Sequence, residues 1–143
     1  MIRKCIDRPD AQAFKNRINS IKDFYSNKEF PQTFGDTLSY HIEQHGHTNE
    51  SMEGLTGISD RTFKRYRNNK TRISLQNLTL ICLALHLEPD YSEDLVRKAG
   101  YYWRTDNEQD MACHLLIREN FCDDLDKMID LFIIAGIDYK VAN

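Results

Sequence analysis

Glycine and proline are scarce in this chain of 143 residues, six and three respectively, while 41% of its residues are apolar. That balance suits one compact domain of mostly helical content, not two separate domains. No segment shows the apolar–polar alternation of a strand. Cysteine is scarce as well: the four, at positions 5, 82, 113 and 122, form no CxxC pair, so nothing suggests a disulfide framework, and Cys82, inside LTLICLALHL, reads as a small core residue. The longest apolar runs fall far short of the ~20 residues needed to span a bilayer, and MIRKCIDRPD lacks the apolar stretch of a secretory signal. A reducing, cytoplasmic setting without membrane contact is the expectation.

Reactive motifs are equally thin. There is no Gly-rich phosphate loop, no GxSxG and no recognisable Cys-His arrangement, so no enzyme and no cofactor are expected. His41 and His45, in HIEQHGH with His47, sit one helical turn apart, a spacing that can ligate zinc. No Glu holds the HExxH place and no third ligand has a recognisable spacing, so these are expected to be solvent-exposed helix-end histidines with no metal. Asp123 and Asp124 read as first-turn acids of a helix, not as a catalytic dyad.

Charge is present, and it is unevenly placed. The whole chain carries a net charge of −3, from 19 Lys and Arg against 22 Asp and Glu. Residues 59–72 nevertheless hold Arg61, Lys64, Arg65, Arg67, Lys70 and Arg72 against a single acid, Asp60, whereas acids outnumber bases twofold from residue 89 onward. The basic stretch is the expected phosphate-facing surface and the acidic C-terminal third is not.

That basic stretch lies inside TNESMEGLTGISDRTFKRYRNNKTR, residues 48–72. Its pattern is a short helix, a turn at Gly57, where a positive φ is needed, an apolar plug at Ile58 and a second helix opened by Ser59 as N-cap. Phe63 and Tyr66 recur at helical spacing and should face inward, leaving Asp60, Arg61, Lys64, Arg65 and Asn68 on the open face.

Met52, Gly57, Ile58, Ser59, Phe63 and Tyr66 resemble, in place and type, the helix-turn-helix of the phage-repressor (Cro-like, or XRE) family, with aromatics where that family more often has aliphatics. The resemblance extends over about residues 34–101: SLQNLTLICLALHLEP is similar to the family's next helix and EDLVRKAGY to the helix that closes the domain. Two positions depart from it. Glu53 stands where Ala is usual at the helix crossing, so it must either turn outward or shift the helix pair, since an unpaired buried carboxylate is costly. Asn69 stands where Gly is frequent, and Asn tolerates left-handed geometry.

The resemblance implies an all-α fold with a lambda-repressor-like five-helix core and a sequence-specific transcriptional regulator whose partner is double-stranded DNA. The recognition helix would enter the major groove with Arg61 and Arg65 on guanines, Lys64 on a base or a phosphate, and Asp60 either accepting from cytosine or favouring the helix dipole. Asn49, Asn68, Lys70, Thr71 and Arg72 would hold phosphates. An alternative of another class is a protein-interaction adaptor or antitoxin-like regulator that keeps the helix-turn-helix as a scaffold.

Flanking elements complete the expectation. Ala13, Phe14, Ile18, Ile21 and Tyr25 predict an amphipathic helix over 9–26, in an N-terminal arm of residues 1–31. Helices follow over about 33–44, stopping at Gly46, and from Ser74, ended by Pro89; another starts at Asp90 or Ser92 and finishes at Gly100, completing a DNA-binding domain of residues 32–101. A helical hairpin fills 102–143. Thr105 and Glu108 predict a capping box for a helix through about Glu119, and a last helix starts at Asp123 or Asp124 and ends at Gly136. LDKMIDLFIIAGI is apolar nearly all round in its second half, which fits intramolecular core, a homodimer seam or a surface for a protein partner, alone or together.

Overall fold

The computed structural model describes residues 11–26 and 30–137, which form eight helices and, among them, no strand. They are α1 (Ala11–Ser26), α2 (Phe34–Gln44), α3 (Asn49–Thr56), α4 (Asp60–Arg67), α5 (Leu75–Ala84), α6 (Pro89–Lys98), α7 (Glu108–Glu119) and α8 (Leu125–Ile134). The fold is all-α, and no helix is long and apolar enough to cross a membrane.

Helix α5 is the hub because it is apolar on every side: nine of its ten residues are buried, Leu75 and Asn77 through Ala84. Such a helix must be surrounded. α3 and α6 pack on it from the repressor-like part, α7 and α8 from the C-terminal part, and α2 closes over α4 and α6. Leu38, Ile42, Met52, Ile58 and Phe63 therefore share one continuous core with Cys113, Leu116, Ile117, Met128 and Phe132. Cys82 lies in that core, its thiol pushed up to about 12 by burial.

Local signals account for most boundaries. Thr33, Thr48, Ser59 and Ser74 each accept an N–H of the first turn of α2, α3, α4 and α5, and Gly46, Gly57, Gly100 and Gly136 all take positive φ just beyond helix ends. Two expectations need correction. Pro89 does not end α5, which stops at Ala84 with His86 turned left-handed at φ 52°; it opens α6 at the first position, where its missing N–H has no intrahelical partner to lose. The Thr105–Glu108 capping box does not form either: Asn107 caps α7 by accepting from the Asp110 amide at 3.0 Å.

α1 forms, although residues 9 and 10 and the Tyr25 side chain lie outside those described. Ala13, Arg17 and Ile21 are half-buried, and Arg17 reaches Glu88 at 3.5 Å, whereas Phe14 is 66% exposed. The apolar stripe read from the sequence is thus split between a body-facing and an outward side. α8 is split as well. Met128 and Phe132 are fully buried, while Ile133 and Ile134 stand 64% and 80% exposed.

Candidate nucleic-acid interface

The two helices of the motif are joined by a tightly determined turn. Thr48 and Ser51 cap α3 reciprocally. At its other end Gly57 adopts φ 78° and donates its N–H to the Glu53 carbonyl at 2.8 Å, and the buried Thr56 hydroxyl accepts from the Ile58 amide at 3.1 Å. Ile58, fully buried, plugs the gap. Ser59 then opens α4 by accepting from the Thr62 amide at 3.1 Å.

α4 divides into two faces. Thr62, Phe63 and Tyr66 are buried, the two rings meeting edge-on at 6.4 Å, and Arg61, Lys64, Arg65 and Asn68 are exposed, with Asp60 half-buried at the start. This is the partition that the spacing predicts. An acid in the first turn with Lys64, Arg65 and Arg67 in the last also complements the helix dipole.

Glu53 takes the outward course. Its side chain is exposed and its Oε1 accepts the Asp60 amide at 2.7 Å, so the residue that departs from the family pattern satisfies the first N–H of the recognition helix. Asn69 adopts φ 57°, and its Oδ1 accepts the Gly35 amide at 2.9 Å. Gly35 lies so close to the end of α4 that a Cβ there would stand 2.3 Å from the Arg67 carbonyl oxygen.

Arg67 differs from its basic neighbours. Its guanidinium donates to Ser39 Oγ at 2.9 Å, Asn49 Oδ1 at 2.8 Å and Glu43 Oε2 at 2.7 Å, tying α2, α3 and α4 together. The signal for this lay in the spacing: Arg67 follows Phe63 by one turn and sits at the edge of the buried face. Asn49 is thereby oriented through its carbonyl oxygen. Arg65 Nε donates to Thr71 Oγ1 at 2.8 Å, and Arg72 lies over the Tyr101 ring at 4.2 Å while reaching the Gly100 carbonyl at 3.3 Å. Thr71 and Arg72 therefore have partners within the chain, whereas Arg61, Lys64 and Lys70 project from the surface. Asn69, Lys70, Thr71 and Arg72 also line, with Phe34, Ile73, Lys98 and Ala99, a groove of about 230 Å³ beside this loop.

The histidine expectation needs correction at one place. His41 is not solvent-exposed; it is 2% exposed and boxed by Phe30, Tyr40 and Tyr91, because the face of α2 that carries Leu38 and Ile42 also carries it inward against α6. His45 is exposed and its Nδ1 lies 2.9 Å from the His41 carbonyl oxygen.

Residues 37–90 match the family model of the Cro/C1-type helix-turn-helix DNA-binding domain. The chain carries a DNA-binding domain of that type, running from within α2 to the start of α6. The matched segment is narrower than the resemblance read from the sequence and leaves α1, α7 and α8 outside it. No curated protein and no solved structure matches the chain.

Proposed function

We propose that this protein is a sequence-specific transcriptional regulator that inserts α4 into the major groove of double-stranded DNA and performs no catalysis. The observation that carries this reading is the division of α4. One face is anchored in the core by Phe63 and Tyr66, and the other presents Arg61, Lys64 and Arg65 outward from a helix of a DNA-binding domain. Arg61 and Arg65 have the fork geometry that matches guanine O6 and N7, Lys64 takes a neighbouring base or phosphate, and Asp60, at the helix start, accepts from a cytosine amino group. Asn49, Asn68 and Lys70 hold phosphates on either side, and the Arg67 network fixes Asn49 for that role.

Selection of bound fragments from a random DNA pool tests the reading, followed by titration of the recovered site at several salt concentrations. A defined site whose affinity falls steeply with salt supports a DNA reader, and Lys70→Ala should lower the logarithmic salt slope by about one unit on every sequence. A chain that enriches no site at any salt would instead be an adaptor using the helix-turn-helix as scaffold.

A further inference from the structure

The chain beyond the matched family segment reaches back to the loop that follows the recognition helix. α6 ends in a turn closed twice, the Gly100 amide donating to the Arg97 carbonyl at 2.9 Å and the Tyr101 amide to the Val96 carbonyl at 3.0 Å, with Gly100 left-handed at φ 88°. That reversal brings Tyr101 against the loop between α4 and α5. Its hydroxyl donates to the Ile73 carbonyl at 2.7 Å, and the Arg72 guanidinium lies over its ring at 4.2 Å while reaching the Gly100 carbonyl at 3.3 Å. Two residues on, Trp103 donates from Nε1 to Glu93 Oε1 at 3.0 Å and stacks on His114 with the ring centres 4.4 Å apart. Tyr101 is therefore carried by a segment fixed to α6 and α7, not by the loop it touches.

We propose that Tyr101 is a positioning residue for DNA binding: acting through Arg72 and Ile73, it holds the loop so that Lys70 meets a phosphate. The near end of the loop is fixed by α4 and α2, since the Lys70 amide donates to the Arg65 carbonyl at 2.9 Å and Asn69 Oδ1 accepts the Gly35 amide. Beyond Lys70 the chain crosses to α5 outside any helix, and Tyr101 fixes that far end. An exposed lysine on a loop held at both sides has fewer positions open to its ammonium, and a charge already in place loses less freedom on meeting a phosphate. Arg72, shared between an aromatic face and a carbonyl, serves the loop and not the duplex. This role rests on Lys70 meeting DNA, and it lets residues outside the family match act on binding without touching the duplex.

Titration of the full chain onto its selected duplex and onto a duplex of unrelated sequence, at several salt concentrations, tests this. One phosphate contact accounts for a logarithmic salt slope of about 0.9, or roughly tenfold in affinity near 0.1 M salt. Tyr101→Ala should cost that much on both duplexes and lower the slope by about one unit, as Lys70→Ala does, and the two together should lower it no further. Tyr101→Phe, which keeps the ring under Arg72 and removes only the hydroxyl, should fall between wild type and Tyr101→Ala, and it carries the test if Tyr101→Ala does not fold. Circular dichroism and the emission of Trp103, the sole tryptophan, verify the fold of each variant. A purely structural role would lower the unfolding temperature and leave the slope unchanged. Wild-type slope and affinity in the folded Tyr101 variants would overturn the proposal, as would a double variant whose slope falls by about two units, or a Tyr101→Ala protein that binds more tightly because Arg72 is released to DNA. A wild-type chain with no salt-dependent binding to duplex DNA would overturn the DNA reading and this role together, a failure distinct from the others.

Discussion

Arg65 and Thr71 are joined by a hydrogen bond of 2.8 Å from Nε to Oγ1 that spans the end of α4 and the loop beyond it. A guanidinium held through Nε is restrained before binding, and a planar fork fixed in advance loses less freedom when it meets a base. If Arg65 reads guanine, Thr71→Val should relax discrimination at one base pair of the preferred site by part of the 1–3 kcal/mol or so that a bidentate contact contributes, and Thr71→Ser should restore it. Arg65→Ala sets the comparison. Uniform weakening on all sequences by Thr71→Val would make Thr71 a phosphate contact.

Glu53 bonds the first amide of the recognition helix through Oε1. Its replacement by Ala leaves that N–H to water and removes a negative charge beside a helix N-terminus, so a loss of about 0.5–2 kcal/mol of stability is expected. Glu53→Gln, which keeps an acceptor without the charge, should recover part of it. Denaturant midpoints of the three proteins check this, and equal midpoints would show that the bond contributes nothing.

Gly35 is required by packing and not by its backbone angles. The atom its Cβ would strike is a main-chain carbonyl at 2.3 Å, which no side-chain rotation relieves. Gly35→Ala should therefore separate α2 from the end of α4, lowering stability by about 1–3 kcal/mol, the usual range for overpacking. Thermal unfolding gives the measurement; a variant as stable as wild type would mean that the two helices slide apart freely.

The acid limb of the stability profile should carry the mark of His41. Burial lowers its pKa from 6.5 to about 4; the nearby His45 and Lys98 act in the same direction and Asp94 opposes them. Between these values the unfolded chain binds a proton that the folded chain refuses, so stability falls as pH drops from 6.5 toward 4 and is indifferent to this residue above and below. The shift corresponds to a loss of at most about 3 kcal/mol. Urea midpoints at neutral pH and near pH 4.5 should differ more for the wild type than for His41→Leu, whose side chain has no proton to take up. The same difference in both proteins would place the acid sensitivity elsewhere.

The sequence by itself determined those features that depend on neighbouring residues. Ser59, Gly57 and Ser74 set helix ends through bonds and angles spanning a few positions, and the spacing of Phe63 and Tyr66 fixed which face of α4 turns inward, because helical periodicity is a local property. Only the tertiary structure decided the partners brought from afar. Spacing puts Arg67 at the edge of the buried face of α4, but that Ser39, Glu43 and Asn49 are the groups surrounding it follows only from α2 and α3 meeting α4 there. His41 looks like a helix-end histidine and is buried because α6 and Phe30 close over it. The apolar second half of α8 fits core and surface equally on the page. Packing on α5 assigned Met128 and Phe132 to the interior and left Ile133 and Ile134 outside, since a helix can turn only part of its circumference toward one neighbour.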